Sequence, residues 1–289
     1  MYIFLIFAVV FLIAFLSLYV YKESNGYHIV KYELEDSRLN KEQIKIAFIS
    51  DLHNKQYGEK NSAVLKDIEN IAPDYIMLGG DMITSCLEKW SEFNDTIDFI
   101  GELSKRYPVY YGMGNHEERL RRRPEKYPEG AYEKLTALLN EIGTPIIINE
   151  CVHIDEAGVD LYGLDLEHQY FRKFITRHIP DNYLEDKLGV TNKSNYSILI
   201  AHNPEHFKDY VKWGADLVLS GHVHGGIIRL PFLGGVISPA LKLFPKYDGG
   251  LFIEGNSKMI LSRGLGSHTI PIRVNNKAEV IEITLKRKV

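Results

Sequence analysis

The sequence predicts an α/β domain carried behind an N-terminal membrane-spanning helix, and three observations predict it. Short apolar runs alternate with helix-patterned stretches through the first half of the chain. Each of those runs ends beside glycine or beside a polar side chain able to bind metal. Ahead of them, residues 1–20 are almost wholly apolar and carry no charge.

At 1.5 Å per residue, a helix over residues 1–21 crosses the roughly 30 Å hydrocarbon layer of a bilayer. This segment reads as a transmembrane anchor, and residues 24–289 as one domain behind it. A cleaved secretory signal is the competing reading. Against it, no Lys or Arg precedes the apolar run, and Tyr21-Lys22-Glu23-Ser24-Asn25 offers no small-x-small cleavage site. Lys22, Lys31, Arg38 and Lys41 follow the span, so charge leans towards a cytoplasmic domain without fixing the side. The expected location is a membrane, crossed once.

Residues 27–35 alternate as a strand does, and residues 44–49 form a short apolar strand that delivers Asp51 and His53. The strand's period of two would put both on one face. A helical stretch over 62–71 leads to a strand at 75–78 that ends in Gly79-Gly80-Asp81. A second, over 92–105, leads to a strand at 108–111 followed by Gly112-Met113-Gly114-Asn115-His116. Open α/β sheets carry their sites at the C-terminal ends of their strands, so these residues should converge on one edge. In the second half, strands are expected at 159–162, 196–200, 217–219, 259–261 and 279–283, the second delivering His202 and the third His222 and His224. Residues 169–195 lack clear periodicity and read as a lid or insertion. Residues 225–250, rich in Gly and Pro, read as a long ordered loop. There is no internal repeat, low-complexity tract or interdomain linker.

With 45% hydrophobic and 25% charged residues, the chain has the composition of a folded protein and not of a disordered one. A net charge of −4 offers no general attraction to nucleic acid, and no specific nucleic-acid binding is expected. Arg119 and Arg121-Arg122-Arg123 form a local basic cluster, either a solvated surface or a face turned to an anionic substrate or lipid headgroup. Cys86 and Cys151 make no CxxC pair and propose neither a zinc knuckle nor a disulfide framework. His28, His153, His168, His178, His206 and His268 have no motif around them and read as surface or satisfied core residues.

The chemistry lies in the blocks Asp51-Leu52-His53, Gly80-Asp81, Gly114-Asn115-His116-Glu117, Ala201-His202-Asn203 and Gly221-His222-Val223-His224. Mixed oxygen and imidazole donors suit borderline divalent ions such as Mn²⁺, Fe²⁺ or Zn²⁺ better than Ca²⁺, which takes oxygen alone. The blocks point to a metal-dependent hydrolase with two divalent metal ions. A carboxylate can bridge cations about 3.5 to 4 Å apart, and such a pair can hold a hydroxide between them while clamping phosphate oxygens. Asp81 is the candidate bridge. His53, His202, His222 and His224 would ligate as neutral imidazoles, Asp51 would supply charge and Asn115 a carbonyl oxygen. His116 would then be free to stabilise charge on the phosphoryl group or to protonate the leaving oxygen. Asp165, after Gly163-Leu164, is a candidate acceptor that orients a ligating histidine.

In their order these blocks resemble the calcineurin-like metallophosphoesterase superfamily, with its D-x-H, G-D, G-N-H-[DE], H and G-H-x-H series, over about residues 44–285. The resemblance implies a sandwich of two β-sheets flanked by helices. It implies one metal on Asp51, His53, Asp81 and His224, a second on Asp81, Asn115, His202 and His222, and His116 as a catalytic histidine that binds neither. The apolar N-terminus, Gly221 to Gly226, and the tail Ser262-Arg263-Gly264-Leu265-Gly266 with Pro271-Ile272-Arg273 are similar to a membrane-associated bacterial branch. Some members of that branch act on nucleotide-linked lipid precursors. Many relatives carry a further acidic residue soon after G-D, where this chain has Met82-Ile83-Thr84. The activity implied is hydrolysis of a phosphodiester or pyrophosphate, lipid-linked or not, near a membrane. The alternatives are a phosphomonoesterase or phosphoprotein phosphatase, or a catalytically silent membrane scaffold of the same fold. Seven donors plus His116 favour an enzyme over a scaffold.

Overall fold

A computed structural model describes residues 2–86, 88–172, 177–230, 232–237, 243–267 and 271–288. His268, residues 173–176 of the first irregular stretch, and residues 231 and 238–242 of the second lie outside them. Two six-stranded sheets dominate. The first runs in the order β1 (Tyr27–Asp36), β14 (Ala278–Arg287), β2 (Gln43–Ile49), β3 (Tyr75–Leu78), β4 (Val109–Gly112) and β5 (Ile146–Ile147). The second runs β12 (Gly250–Glu254), β13 (Ser257–Leu261), β9 (Leu217–Ser220), β8 (Tyr196–Ala201), β7 (Val159–Leu164) and β6 (Glu150–Ile154). A two-stranded ribbon, β10 (Arg229–Leu230) with β11 (Gly234–Gly235), stands apart from both.

The strand period explains why the sheets stack. On β2, Ile44, Ile46 and Phe48 join the same buried cluster as Ile198 and Ile200 of β8 and Leu217 and Leu219 of β9. Their neighbours Ala47 and Ile49 face the other way, into a cluster with Val64 and Ile68 of α2 (Ser62–Ile71) and Phe99 and Ile100 of α3 (Asn94–Ser104). Leu199 and Val218, on the far face of the second sheet, pack with Phe207 and Tyr210 of α7 (Phe207–Trp213) and Leu184 of α6 (Tyr183–Leu188). Alternate side chains thus feed a core between the sheets and one outside each sheet, giving a sandwich flanked by helices. Both faces being buried, the central strands read as continuous apolar runs.

Helix α1 (Tyr2–Asn25) carries the apolar lead, is long and apolar enough to cross a membrane, and buries none of its apolar window. The helix continues past residue 21 to Asn25, and only Ser24 is buried. Two further helices, α4 (Asn115–Arg122) and α5 (Ala131–Glu141), were not read from the sequence, and neither were α6, α7, β6 and β12. α4 is short and strongly charged, with too few apolar positions to announce a period.

β2, β3 and β4 are parallel to one another, as are β8 and β9. Their C-terminal ends therefore emerge on one edge, the convergence the strand-to-helix order anticipates.

Candidate metal centre

The loops at that edge adopt conformations that side chains seldom take. Asp51, His53, Asp81, His222 and His224 all have positive φ, between 48° and 73°. β2 ends at Ile49, so the expectation that a strand's period aligns Asp51 with His53 is corrected. Left-handed backbone after the strand turns the two inward instead. Such strain costs on the order of 1 kcal/mol or more per residue and persists where surrounding contacts over-determine it. Those contacts are present. The Asp51 amide donates to Gly80 O at 3.0 Å, and the His53 amide to Asp81 O at 3.1 Å. The His222 amide donates to Asp51 Oδ1 at 3.0 Å.

Two glycines make the close approach possible. A Cβ on Gly114 would stand 2.1 Å from Asp81 N, and one on Gly221 would stand 2.2 Å from Asp51 Oδ2.

The structure brings Asp51, His53, Asp81, Asn115, His116, His202, His222 and His224 together. One group is Asp51, His53 and His224, with donor atoms within 4.8 Å of one another, and a second is Asp81, His202 and His222. A third, His53, Asp81 and His116, overlaps both through shared members. His53 Nε2 and His224 Nε2 are 3.1 Å apart, and His224 Nε2 is 3.3 Å from Asp51 Oδ1. Asp81 Oδ2 is 3.1 Å from His202 Nε2 and 3.9 Å from both His53 Nε2 and His116 Nε2. The Asn115 amide reaches to 2.6 Å from His222 Nδ1. With its NH₂ turned there it donates to the ring, and with its oxygen turned there it adds a neutral donor beside the imidazole.

His202 provides the test of fit. Its Nδ1 is 2.7 Å from the Gly79 carbonyl oxygen, which can only accept, so Nδ1 bears a proton. In the neutral ring, Nε2 then presents its lone pair to Asp81 Oδ2, and two electron-rich atoms face each other in a buried space. A cation between them resolves the conflict. Without one, the protein must use a proton: burial disfavours the imidazolium, but Asp81 and Asp51 outweigh it and lift His202 to about 10. Burial likewise pushes Asp51 up to about 6, with Asp81 adding to the shift and His202 opposing it. Burial also works against the charge of Asp81, but His202 and His116 hold it well below the usual carboxylate range. The donor set thus fits two divalent cations, with Asp81 between the groups.

His116 is the second residue of α4, and its amide donates to Asp81 Oδ1 at 2.7 Å, where the helix N-terminus favours an anion. Its Nδ1 accepts from the Ser85 amide at 2.8 Å, so the neutral ring carries its proton on Nε2. Arg119 Nη1 lies 3.3 Å from that Nε2. With the proton on Nε2 two donors face each other there, a conflict that an anionic oxygen accepting from both relieves.

The model of the family described as calcineurin-like phosphoesterase matches residues 44–226. The chain belongs to the calcineurin-like phosphoesterases. An uncharacterized metallophosphoesterase of Helicobacter pylori is 29% identical over 255 residues, which cover 87% of this chain and 62% of that protein. One from Aquifex aeolicus is 29% identical over 286 residues, covering 96% of this chain and 99% of its own. The phosphodiesterase YaeI of Escherichia coli is 25% identical over 273 residues, covering 92% and 90%. The aligned region spans only about 62% of the length of the Helicobacter pylori relative.

Sequence reasoning assigned no role to several side chains that shape this site. Glu117 is buried, accepts from the Asp81 amide at 3.0 Å and from Tyr111 Oη at 2.7 Å, and so clamps the Gly80-Asp81 turn. Burial and then the charge of Asp81 push its carboxyl up to about 7. Ser50 Oγ donates to Asp51 Oδ2 at 2.6 Å, and the Phe171 ring stands 5.1 Å from that of His222. Motif position could have flagged Glu117 alone; Ser50, Ser85 and Phe171 act through backbone geometry that no spacing displays.

The basic cluster divides. Arg119 faces the site, whereas Arg121 pairs with Asp165 at 2.6 Å and Arg122 with Glu118 at 2.9 Å. Asp165 therefore holds an arginine rather than orienting a ligating histidine. His153 is exposed and pairs with Asp160 at 2.7 Å, and His206 is buried beside Tyr170 and Asp209. The described ends of the 169–195 stretch pack inward, with Tyr170, Phe171, Ile179 and Leu184 buried.

Proposed function

We propose that this chain is a metal-dependent phosphoric ester hydrolase that cleaves a phosphodiester or pyrophosphate beside a membrane. In this reading residues 1–21 anchor a single domain of residues 24–289. Asp51, His53, Asp81 and His224 hold one divalent cation, and Asp81, Asn115, His202 and His222 hold the second. The observation that carries it is that the groups Asp51–His53–His224 and Asp81–His202–His222 adjoin, Asp81 Oδ2 standing 3.9 Å from His53 Nε2 of the first and 3.1 Å from His202 Nε2 of its own. When bound, a pair of divalent cations supplies an activated water at neutral pH and neutralises charge on the phosphoryl oxygens.

The chain's own residues do the rest. His116, with its proton on Nε2, donates to the leaving oxygen as the P–O bond breaks. Arg119, 3.3 Å away, draws a phosphoryl oxygen to the same point and keeps the ester in register with that donor. Phe171 narrows the access to His202 and His222 and limits water there. The E. coli relative named a phosphodiesterase supports a diester over a monoester. The apolar exposed helix supports an amphipathic or lipid-linked substrate.

The test is hydrolysis of bis(p-nitrophenyl) phosphate and of p-nitrophenyl phosphate by the full chain in detergent, stripped with chelator and reloaded with Mn²⁺. Metal-dependent turnover of the diester, lost in Asp81→Asn, is expected. Turnover of the monoester with none of the diester would overturn the diesterase reading.

A further inference from the structure

Exposed apolar side chains outside α1 are not scattered evenly. Among the described residues, most gather on one strip: Leu230, Phe232, Leu233, Leu243, Phe244 and Ile272. Phe232 is fully exposed, and it sits with Leu233 at the tip of the β10–β11 ribbon. Leu243 and Phe244 lie beside that ribbon, through the Ile237–Leu243 bridge and the Phe244 amide bonded to Val236 O at 2.9 Å. Ile272 joins from another part of the chain, because Ile228 bridges to Val274 and the Arg229 amide donates to Val274 O at 3.0 Å. The Ile228–Val274 bridge is parallel, so Ile272 lies at the base of the ribbon and Phe232 at its tip, and exposed apolar side chains placed at both ends of one substructure are costly to leave in water and mark a contact.

The strip is tied to α1. The Arg273 amide donates to Ser24 Oγ at 2.9 Å, and Tyr19 Oη bonds Asn275. Pro271 and Ile272 line one groove with Leu16, Val20 and Tyr21. Leu16 stands eight positions before Ser24, about 12 Å along the helix axis. Tyr19 and Tyr21 occupy the level at which aromatic residues mark a membrane interface, with Lys22 and Glu23 just beyond. Ile272 therefore runs beside the last turns of α1, from Leu16 to Ser24 and Asn25, where the apolar run gives way to Lys22 and Glu23.

We infer that the 232–233 tip, residues 243–244 and residues 271–272 form a second membrane contact, seated in the leaflet from which α1 emerges. The occupant of the strip is lipid, since the strip continues the apolar surface of α1. Its placement has a consequence for the metal centre. The segment that carries Ile272 also donates from Gly266 N to Asp51 O at 2.6 Å and from Asn276 Nδ2 to His224 O at 2.7 Å. Seating the strip fixes the centre against the headgroup layer, where the phosphoester of an amphiphile lies. The inference rests on α1 entering a membrane.

The experiment uses the full chain with Cys86→Ser and Cys151→Ser, and one new cysteine at a time: Val10→Cys, Phe232→Cys or Val190→Cys. Each is spin-labelled and reconstituted in phosphatidylethanolamine–phosphatidylglycerol vesicles. Collision with O₂, which concentrates in hydrocarbon, is compared with collision with a water-soluble nickel complex. The expected result is lipid exposure at 10 and 232, with loss of nickel access relative to 190. Lipid exposure at 10 with full nickel access at 232 overturns the second contact and leaves the anchor standing. Nickel access at 10 overturns the anchor and the contact together. Lipid exposure at 190, which is 72% exposed on the domain surface, overturns a specific seat in favour of general adsorption.

Discussion

His202 Nε2 stands 3.1 Å from Asp81 Oδ2 while its other ring nitrogen is bound 2.7 Å from the Gly79 carbonyl. The carbonyl fixes the tautomer, so the lone pair on Nε2 and the carboxylate oxygen compete for one positive charge. The arrangement is stable with a metal ion there, or with a proton.

Metal binding should therefore release protons. His202 is lifted to about 10 in the metal-free protein, so between pH 7 and 9 it holds a proton that a metal must displace. Its folded value lies above its unfolded one, so this ionic contact stabilises the metal-free fold fully below about pH 6.5 and fades as pH rises through 10. Asp51, lifted to about 6, adds a second proton when loading is done near pH 5. Titration calorimetry with Mn²⁺ in buffers of different ionisation enthalpy measures the count. At least one proton per chain at pH 8 is expected, from His202, with a further one where a metal-bound water ionises, and none would contradict the His202 assignment.

Removing the proton donor should spare the metals. His116→Gln is expected to lower kcat on a diester by about 10²- to 10⁴-fold with metal content unchanged. Ser85→Ala removes the hydroxyl 3.1 Å from His116 Nδ1 but keeps the amide, and should lower kcat far less. A His116 variant that loses metal would place this histidine among the ligands.

Space at Gly114 is a requirement of the site. Its φ of −102° suits any residue, so only the Cβ of Gly114→Ala, 2.1 Å from Asp81 N and 2.5 Å from Glu117 Oε2, is at fault. Overpacking of this kind costs about 1–3 kcal/mol. The variant should lose both metal affinity and thermal stability. Gly130→Ala is the contrast: with φ +68° and open space around its Cβ, it should cost on the order of 1 kcal/mol of backbone strain and keep full metal content.

Ser50→Ala removes the hydroxyl that donates to Asp51 Oδ2. Partners of ligating side chains are worth about 10- to 100-fold in metal affinity, so a rise of that size in the Mn²⁺ dissociation constant is expected. Circular dichroism should show the fold unaltered.

Much of the fold was legible because its strands carry their own punctuation. Residues 75–78 and 217–219 are apolar runs closed by Gly or by a polar block, and each lies on a strand the structure contains. Helix α4 was hidden by its charge and β6 by burial that alternates too weakly to read, whereas α5 carries a legible helical period, with Ala131, Leu135 and Leu139 buried, that the sequence reading passed over. The meeting of Asp81 with His202 depends on two sheets facing each other, a relation that periodicity alone does not contain and that the family resemblance supplied. The left-handed backbone at Asp51 and His53 escaped because nothing in Asp-Leu-His specifies it. Hydrogen bonds from loops distant in sequence do so instead.

The most direct test of the central claim is the metal content of the full chain, purified in detergent and reloaded with Mn²⁺ or Zn²⁺, counted by plasma mass spectrometry beside Asp81→Asn. Two ions per wild-type chain are predicted, with the count reduced by the substitution that weakens the shared carboxylate. A folded wild-type chain that retains no divalent ion at saturating metal would contradict the account.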